Sequence, residues 1–375
     1  MAKNYRKINP EMISLARESR GISQPELAKK MEVNQGWISR VEGGLRSIQP
    51  EQLEKLADVL SYPIEFFKQK ETIYGLGINT YFHRKKQSIS NRSLKRIHAC
   101  IAIRTMHITK LLKGVDIEET TKFFPFNVDD FDGDAGEVAR LARLNWNMKH
   151  GPVHNVVAVI ENAGGIVIPF DFGTNEIDAI YHRTPETPPL FFINCYSPSD
   201  RLRFTLCHEL GHAIMHCDTF DPVMIEQQAH GFAAEFLMPK SDIYDYLKDI
   251  TLEKLMILKQ YWKVSMAALL KRAGDIGAIT PARSQQLWKQ MSKAGFRKSE
   301  PVELNLPYET PSTLKQITDF YFEELDYNLP EFSKLIALKP EEAKPVYIGT
   351  GAYIDRENKA AIKEVERMLK NLEDF

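Results

Sequence analysis

The stretch RFTLCHELGHAIMHC, residues 203–217, packs His208, His212 and His216, a glutamate and two cysteines into one apolar run. His208 and His212 are four apart, so on a helix their imidazoles leave the same face one turn from each other. Leu206, Leu210, Ala213, Ile214 and Cys217 make the opposite, apolar stripe. A helix this rich in Leu, Ile and Phe does not sink two histidines and a glutamate without a use for them. With Glu209 between them, the pattern is H-E-x-x-H. That spacing gives two imidazole ligands for Zn2+ and a carboxylate placed to take a proton from water. The pattern has three fixed positions and recurs by chance, so its surroundings must decide. Cys207 and Cys217 point away from the histidine face and read as core. His216 drifts around the helix and reads as a cleft-wall residue, or one that supports the ligands from behind, rather than a ligand.

A catalytic zinc needs a third protein ligand and one open position. MIEQQAHGFAAEFLMP, residues 224–239, offers Glu226 with Ala229 three positions on, a small residue that lets two helices approach. This ExxA arrangement is the one by which glutamate-type zincins supply their third ligand. The rival, Glu235, falls roughly on the opposite side of the helix. His230 is four residues after Glu226 and is expected at the cleft, orienting a ligand or stabilising an oxyanion. RFTLCHELGHAIMH followed by IEQQAHGFAAEFLMP is similar to the ImmA/IrrE family of zinc metallopeptidases. Residues 151–170 (GPVHNVVAVIENAGGIVIPF), IDAI, FFIN and residues 258–277 also resemble that family, so the likeness runs over about 135–275. Ala179 stands where the family often shows Gly. The resemblance implies His208, His212 and Glu226 as ligands, Glu209 as base, and a role in cutting or inactivating a repressor of the XRE type. LFFIN, residues 190–194, or its neighbour is expected to hold a peptide by edge pairing.

The N-terminal part carries a different signature. In ISQPELAKKMEVNQGWISRVEGG, residues 22–44, Ser23 is a good cap and Pro25 suits a first helical turn. Leu27, Ala28 and Met31 form a buried side. Glu32–Val33 make a short turn, and Asn34 caps a second helix from Gln35 to Glu42. Ile38 and Val41 face inward. Gln35, Gly36, Trp37, Ser39 and Arg40 are expected outward, offering the groups that read base edges and phosphates. Gln24 faces a phosphate or the first base, and Arg46 reaches the backbone. From Met12 to Phe67 the sequence closely resembles the XRE (lambda-repressor-like) helix-turn-helix family, through all five of its helices. That resemblance places the DNA-contacting positions on Gln24, Gln35, Gly36, Trp37, Ser39 and Arg40. Trp37 is bulkier than the residues often found there.

The 375 residues carry a net charge of −1, so any nucleic-acid footprint is local. Residues 72–115 hold nine cations and no acid, among them Arg84, Lys85, Lys86, Arg92 and Lys110. They read either as a solvated face or as added phosphate contacts. The opening residues lack the apolar core of a signal peptide, no window is apolar enough to span a bilayer, and the four cysteines form no CxxC pair. A reducing cytoplasm is the expected compartment.

The expected fold class is α+β. Residues 1–70 form an all-α helix-turn-helix domain, 71–134 a basic helical linker, 135–300 a zincin-like domain with a small sheet, and 301–375 a helical C-terminal region. Strands are expected at 166–170, 176–182 and 190–194, and one helix across 151–165. Phe320, Tyr321 and Phe322 read as core or a dimer contact, leaving a homodimer possible. The expected partners are a double-stranded DNA operator and a protein substrate, a repressor or an antitoxin. Two alternatives stay open: a non-catalytic regulator using the zincin fold as sensor or scaffold, and the toxin of a toxin–antitoxin or phage-defence pair.

Overall fold

The computed structural model describes residues 8–75, 89–115, 123–216, 222–297 and 299–348. Its first helices follow from their caps. Asn9 caps α1 (Pro10–Ser19) and Ser23 caps α2 (Gln24–Met31), where Glu26 completes a capping box. Asn34 caps α3 (Gln35–Glu42), accepting from the Trp37 N–H at 2.8 Å. Between α2 and α3 the chain turns at Glu32, whose φ of 59° is left-handed. α4 (Pro50–Leu60) follows, then a 3-10 turn at Ile64–Lys68. The fifth expected helix is therefore only this turn, which Pro63 precedes. Arg17 of α1 and Glu42 of α3 form a buried forked pair, at 2.6 and 3.0 Å, and Gln24 donates to the same carboxylate at 2.8 Å. The pair ties α1 to α3.

α5 (Asn91–Leu112) is the long central helix, with Ile97, Ile101 and Ile108 buried. Its cations are largely engaged within the protein. Arg92 meets Glu26 at 3.0 Å, Lys95 meets Glu18 and Lys110 meets Glu71, each at 3.5 Å. Arg96 donates to the Phe172 carbonyl at 2.7 Å. The acids that pair with Arg92, Lys95 and Lys110 come from neighbouring elements, while Arg92 and Lys95 stay largely exposed. Arg84, Lys85 and Lys86 lie outside the described residues.

α6 (Ala135–Asn145) and α7 (Val156–Asn162) lead to the sheet. α7 is shorter than the expected helix because Asn155 caps it and residues 151–155 stay non-helical. The sheet comprises β1 (Ile166–Phe170), β2 (Ala179–His182) and β3 (Leu190–Asn194), in the order β1-β3-β2. β3 runs parallel to β1, with Ile166 opposite Leu190, and antiparallel to β2, with Tyr181 opposite Phe191. The central strand is buried throughout: Leu190–Ile193 are apolar, and Asn194 donates to the Thr174 and Ile177 carbonyls. β2 begins at Ala179, three residues later than expected.

α8 (Ser199–Met215), α9 (Pro222–Leu237), α10 (Lys240–Leu247), α11 (Leu252–Trp262), α12 (Met266–Asp275) and α13 (Pro281–Lys293) complete the central region. α14 (Thr313–Glu323), α15 (Leu329–Ile336) and the short α16 (Pro340–Ala343) then return to α5, ending in a π-helical turn at Lys344–Ile348. Tyr321 donates to the Leu111 carbonyl at 2.8 Å.

The sheet divides two apolar cores. Ile168, Leu190 and Phe192 face a core shared with α1–α5 and α14–α16. Val167, Phe191 and Ile193 face a core shared with α6–α13. The result is an α+β fold, helical at both ends of the described chain, with one small sheet between. Among the described residues no helix is long and apolar enough to cross a membrane.

Candidate functional site

α8 and α9 pack closely because their contact residues are small. A Cβ on Gly211 would stand 3.1 Å from the Phe232 ring, and Ala229 is fully buried. This approach brings Glu226 of α9 over the histidines of α8. The Nε2 atoms of His208 and His212 are 3.1 Å apart. Glu226 Oε1 is 3.2 Å from His212 Nε2, and its Oε2 is 3.5 Å from His208 Nε2. A tetrahedral ion with bonds of roughly 2.0–2.1 Å sets its ligand atoms about 3.3 Å apart, so these three donors occupy three corners of such a site. They form the group able to hold a metal among the described residues.

The charges are arranged to match. Burial opposes the charge of His208, but its hydrogen bond to Glu226 and the two nearby carboxylates hold its pKa above the ordinary value. Burial works against the Glu226 carboxylate, yet hydrogen bonds to both histidines hold it below the usual range.

Behind His212 lies a chain of polar contacts. His212 Nδ1 is 2.9 Å from His216 Nδ1, and His216 Nε2 is 3.0 Å from Gln228 Oε1. Burial pushes the His216 pKa down to about 4, so its ring is neutral near pH 7. The amide oxygen of Gln228 can only accept, so the His216 proton sits on Nε2. Nδ1 of His216 then accepts from His212 Nδ1–H. That tautomer leaves the lone pair of His212 Nε2 directed at the donor group. Gln228 escaped the sequence reading. Its signal was faint: a polar residue two positions after Glu226, on a helix whose buried side is otherwise apolar.

Glu209 is 7% exposed, and burial raises its pKa against the opposing pull of His212, His208 and the Tyr181 N–H. Its Oε2 accepts from that N–H at 3.0 Å. Tyr181 lies on β2, the edge strand beside α8. β3 is paired on both sides, so of LFFIN and its neighbour it is the neighbour, β2, that borders the site.

The remaining candidates fall as follows. The His230 ring centroid is 5.2 Å from that of His208, at the exposed side of α9 and outside the three-donor group. Glu235 is buried against Arg272 and Arg140, away from the histidines. Cys207 is buried in the core, which drives its thiol pKa up to about 12. Cys217 lies outside the described residues.

On α3, Gln35, Gly36, Ser39 and Arg40 are exposed, and Arg46 is exposed in the following turn. Gln24 is half-buried on Glu42. Trp37 is 5% exposed and packs with Ile38 and Val41, which corrects its outward assignment. It lies four residues before Val41, on the same helical side.

Two family models match. Residues 161–273 match a peptidase family model described as an IrrE N-terminal-like domain, and residues 14–64 match a helix-turn-helix domain. No curated protein matches the sequence. The geometry and the matched segments agree: this chain joins an XRE-like helix-turn-helix domain to a peptidase-like domain of the ImmA/IrrE type.

Proposed function

We propose that the protein is a DNA-binding regulator whose central domain is a zinc-dependent endopeptidase acting on a specific protein, of the repressor or antitoxin kind. The observation carrying this reading is the tetrahedral spacing of the His208, His212 and Glu226 donors beside a buried glutamate and an edge strand. His208, His212 and Glu226 would hold the ion, which when bound polarises a carbonyl and acidifies water. Glu209 takes the proton of the attacking water and delivers it to the departing amine. Burial disfavours its charged form, which helps it take up a proton. The β2 edge aligns the substrate backbone in extended form. His230 stands where it can steady the oxygen of the attacked carbonyl. At the other end, Gln35, Gly36, Ser39 and Arg40 enter the major groove of an operator, while Gln24 and Arg46 hold its phosphates. No described helix crosses a membrane, consistent with work in the cytoplasm.

Elemental analysis of purified variants tests the donor set. Glu226→Ala should lose most of its zinc, and Glu235→Ala should keep it even if its stability falls. Zinc retained by Glu226→Ala and lost by Glu235→Ala would overturn the assignment.

A further inference from the structure

A cavity of about 780 Å³ lies along β1, and none of the α8 histidines lines it. Its volume is that of a small-molecule site, for which about 300–1,000 Å³ is usual. Its walls come from α5, β1, the end of the helix-turn-helix region and the segment 308–348. Ile103, Phe170, Leu314 and Val346 give it a mainly apolar surface.

The ionic groups around it are mostly satisfied. Lys315 pairs with Asp319, and Glu342 pairs with Arg20 at 2.8 Å. Asp171 accepts from the Gly173 N–H at 2.7 Å and from the Tyr196 hydroxyl at 3.4 Å. Arg104 differs. Among the described residues no carboxylate pairs with it, and its guanidinium lies 4.9 Å over the Tyr347 ring. The Tyr347 hydroxyl is itself fixed 2.8 Å from His107 Nδ1. The guanidinium is thus held beside Tyr347, whose hydroxyl takes one of its donors, and no carboxylate among the described residues takes the others. A planar guanidinium is suited to a bidentate anion, and an apolar setting strengthens that contact.

We infer that this cavity binds an amphipathic organic anion, its acidic head on Arg104 and its apolar body against Ile103, Phe170 and Leu314. The site is separate from the metal centre and does not depend on the peptidase reading.

Full-length protein would be titrated with two fluorescent probes: anilinonaphthalene sulfonate, and phenylnaphthylamine, which has the same rings without the acid. The sulfonate should bind saturably, one per chain. Arg104→Gln should weaken the sulfonate by about 10-fold or more, the scale of one charged hydrogen-bonded contact, and leave the neutral probe unchanged. Leu314→Trp, which fills the cavity from a half-buried position, should weaken both. Arg104→Lys keeps the charge without the fork and should fall between wild type and Arg104→Gln, a check if the glutamine variant unfolds. Equal binding of the sulfonate by wild type and Arg104→Gln, equal loss of both probes in Arg104→Gln at unchanged thermal stability, or intact binding in Leu314→Trp would overturn the proposal.

Discussion

At the residue scale the site depends on which nitrogen carries each proton. His216 binds no metal in this scheme; it accepts the His212 proton and passes orientation to Gln228. His216→Leu removes the acceptor and leaves His212 free to choose the wrong tautomer. Its zinc affinity should fall by about 10- to 100-fold, the usual effect of losing such a support. His216→Asn offers an amide acceptor in the same place and should recover part of it. The check is competition with a coloured chelator, together with the visible spectrum of the cobalt-loaded protein. Equal zinc affinity in His216→Leu and wild type would show that the hydrogen-bonded chain does not position His212.

At the element scale, α3 presents Gln35 and Arg40 to solvent while Trp37, Ile38 and Val41 anchor it. Gln35→Ala or Arg40→Ala should weaken operator binding by about 1–3 kcal/mol with thermal stability unchanged. Retardation of a native promoter fragment checks this; wild-type affinity in both variants would remove α3 from the interface. The same helix shows how far a sequence reading reaches. Its caps, Asn34 and Ser23, and its turn at Glu32 were legible because they are local. Trp37 was placed outward with its neighbours, although four residues before Val41 is an inward position. The helices of the candidate site were legible from His208, His212, Glu226 and Ala229, all fixed by short-range spacing. Gln228 was not, because it works across two helices. The ion pairs of α5 were hidden for a similar reason: Glu18, Glu26 and Glu71, which meet Lys95, Arg92 and Lys110, come from other parts of the chain. The order of the three strands was equally hidden, since alternation and apolarity do not say which strand is central.

At the scale of the whole molecule, α5 belongs with the helix-turn-helix helices. Arg92 also donates to the Gly21 carbonyl at 2.5 Å, and Cys100 donates to the Ser19 carbonyl at 3.5 Å. A fragment ending at residue 70 exposes the apolar face that α5 covers, so it should melt lower than one ending at residue 115. Calorimetry of the two fragments checks this, and equal melting would make α5 an independent element. The sheet separates that core from the one holding α8 and α9. Chemistry at Glu209 can therefore be removed without disturbing the DNA-binding end. Glu209→Gln keeps size and hydrogen-bonding capacity but not the base, whereas His208→Ala loses a metal donor. The most direct measurement profiles new protein N-termini by mass spectrometry in cells carrying wild type, Glu209→Gln or His208→Ala at matched expression. Zinc content and operator binding are measured on the same purified proteins. The account predicts at least one cleavage product present with wild type and reduced by about 10²-fold or more in Glu209→Gln, with zinc and operator binding unchanged. Identical N-termini for wild type and Glu209→Gln, while His208→Ala alone alters the regulated transcripts, would contradict it: zinc would then matter and peptide hydrolysis would not.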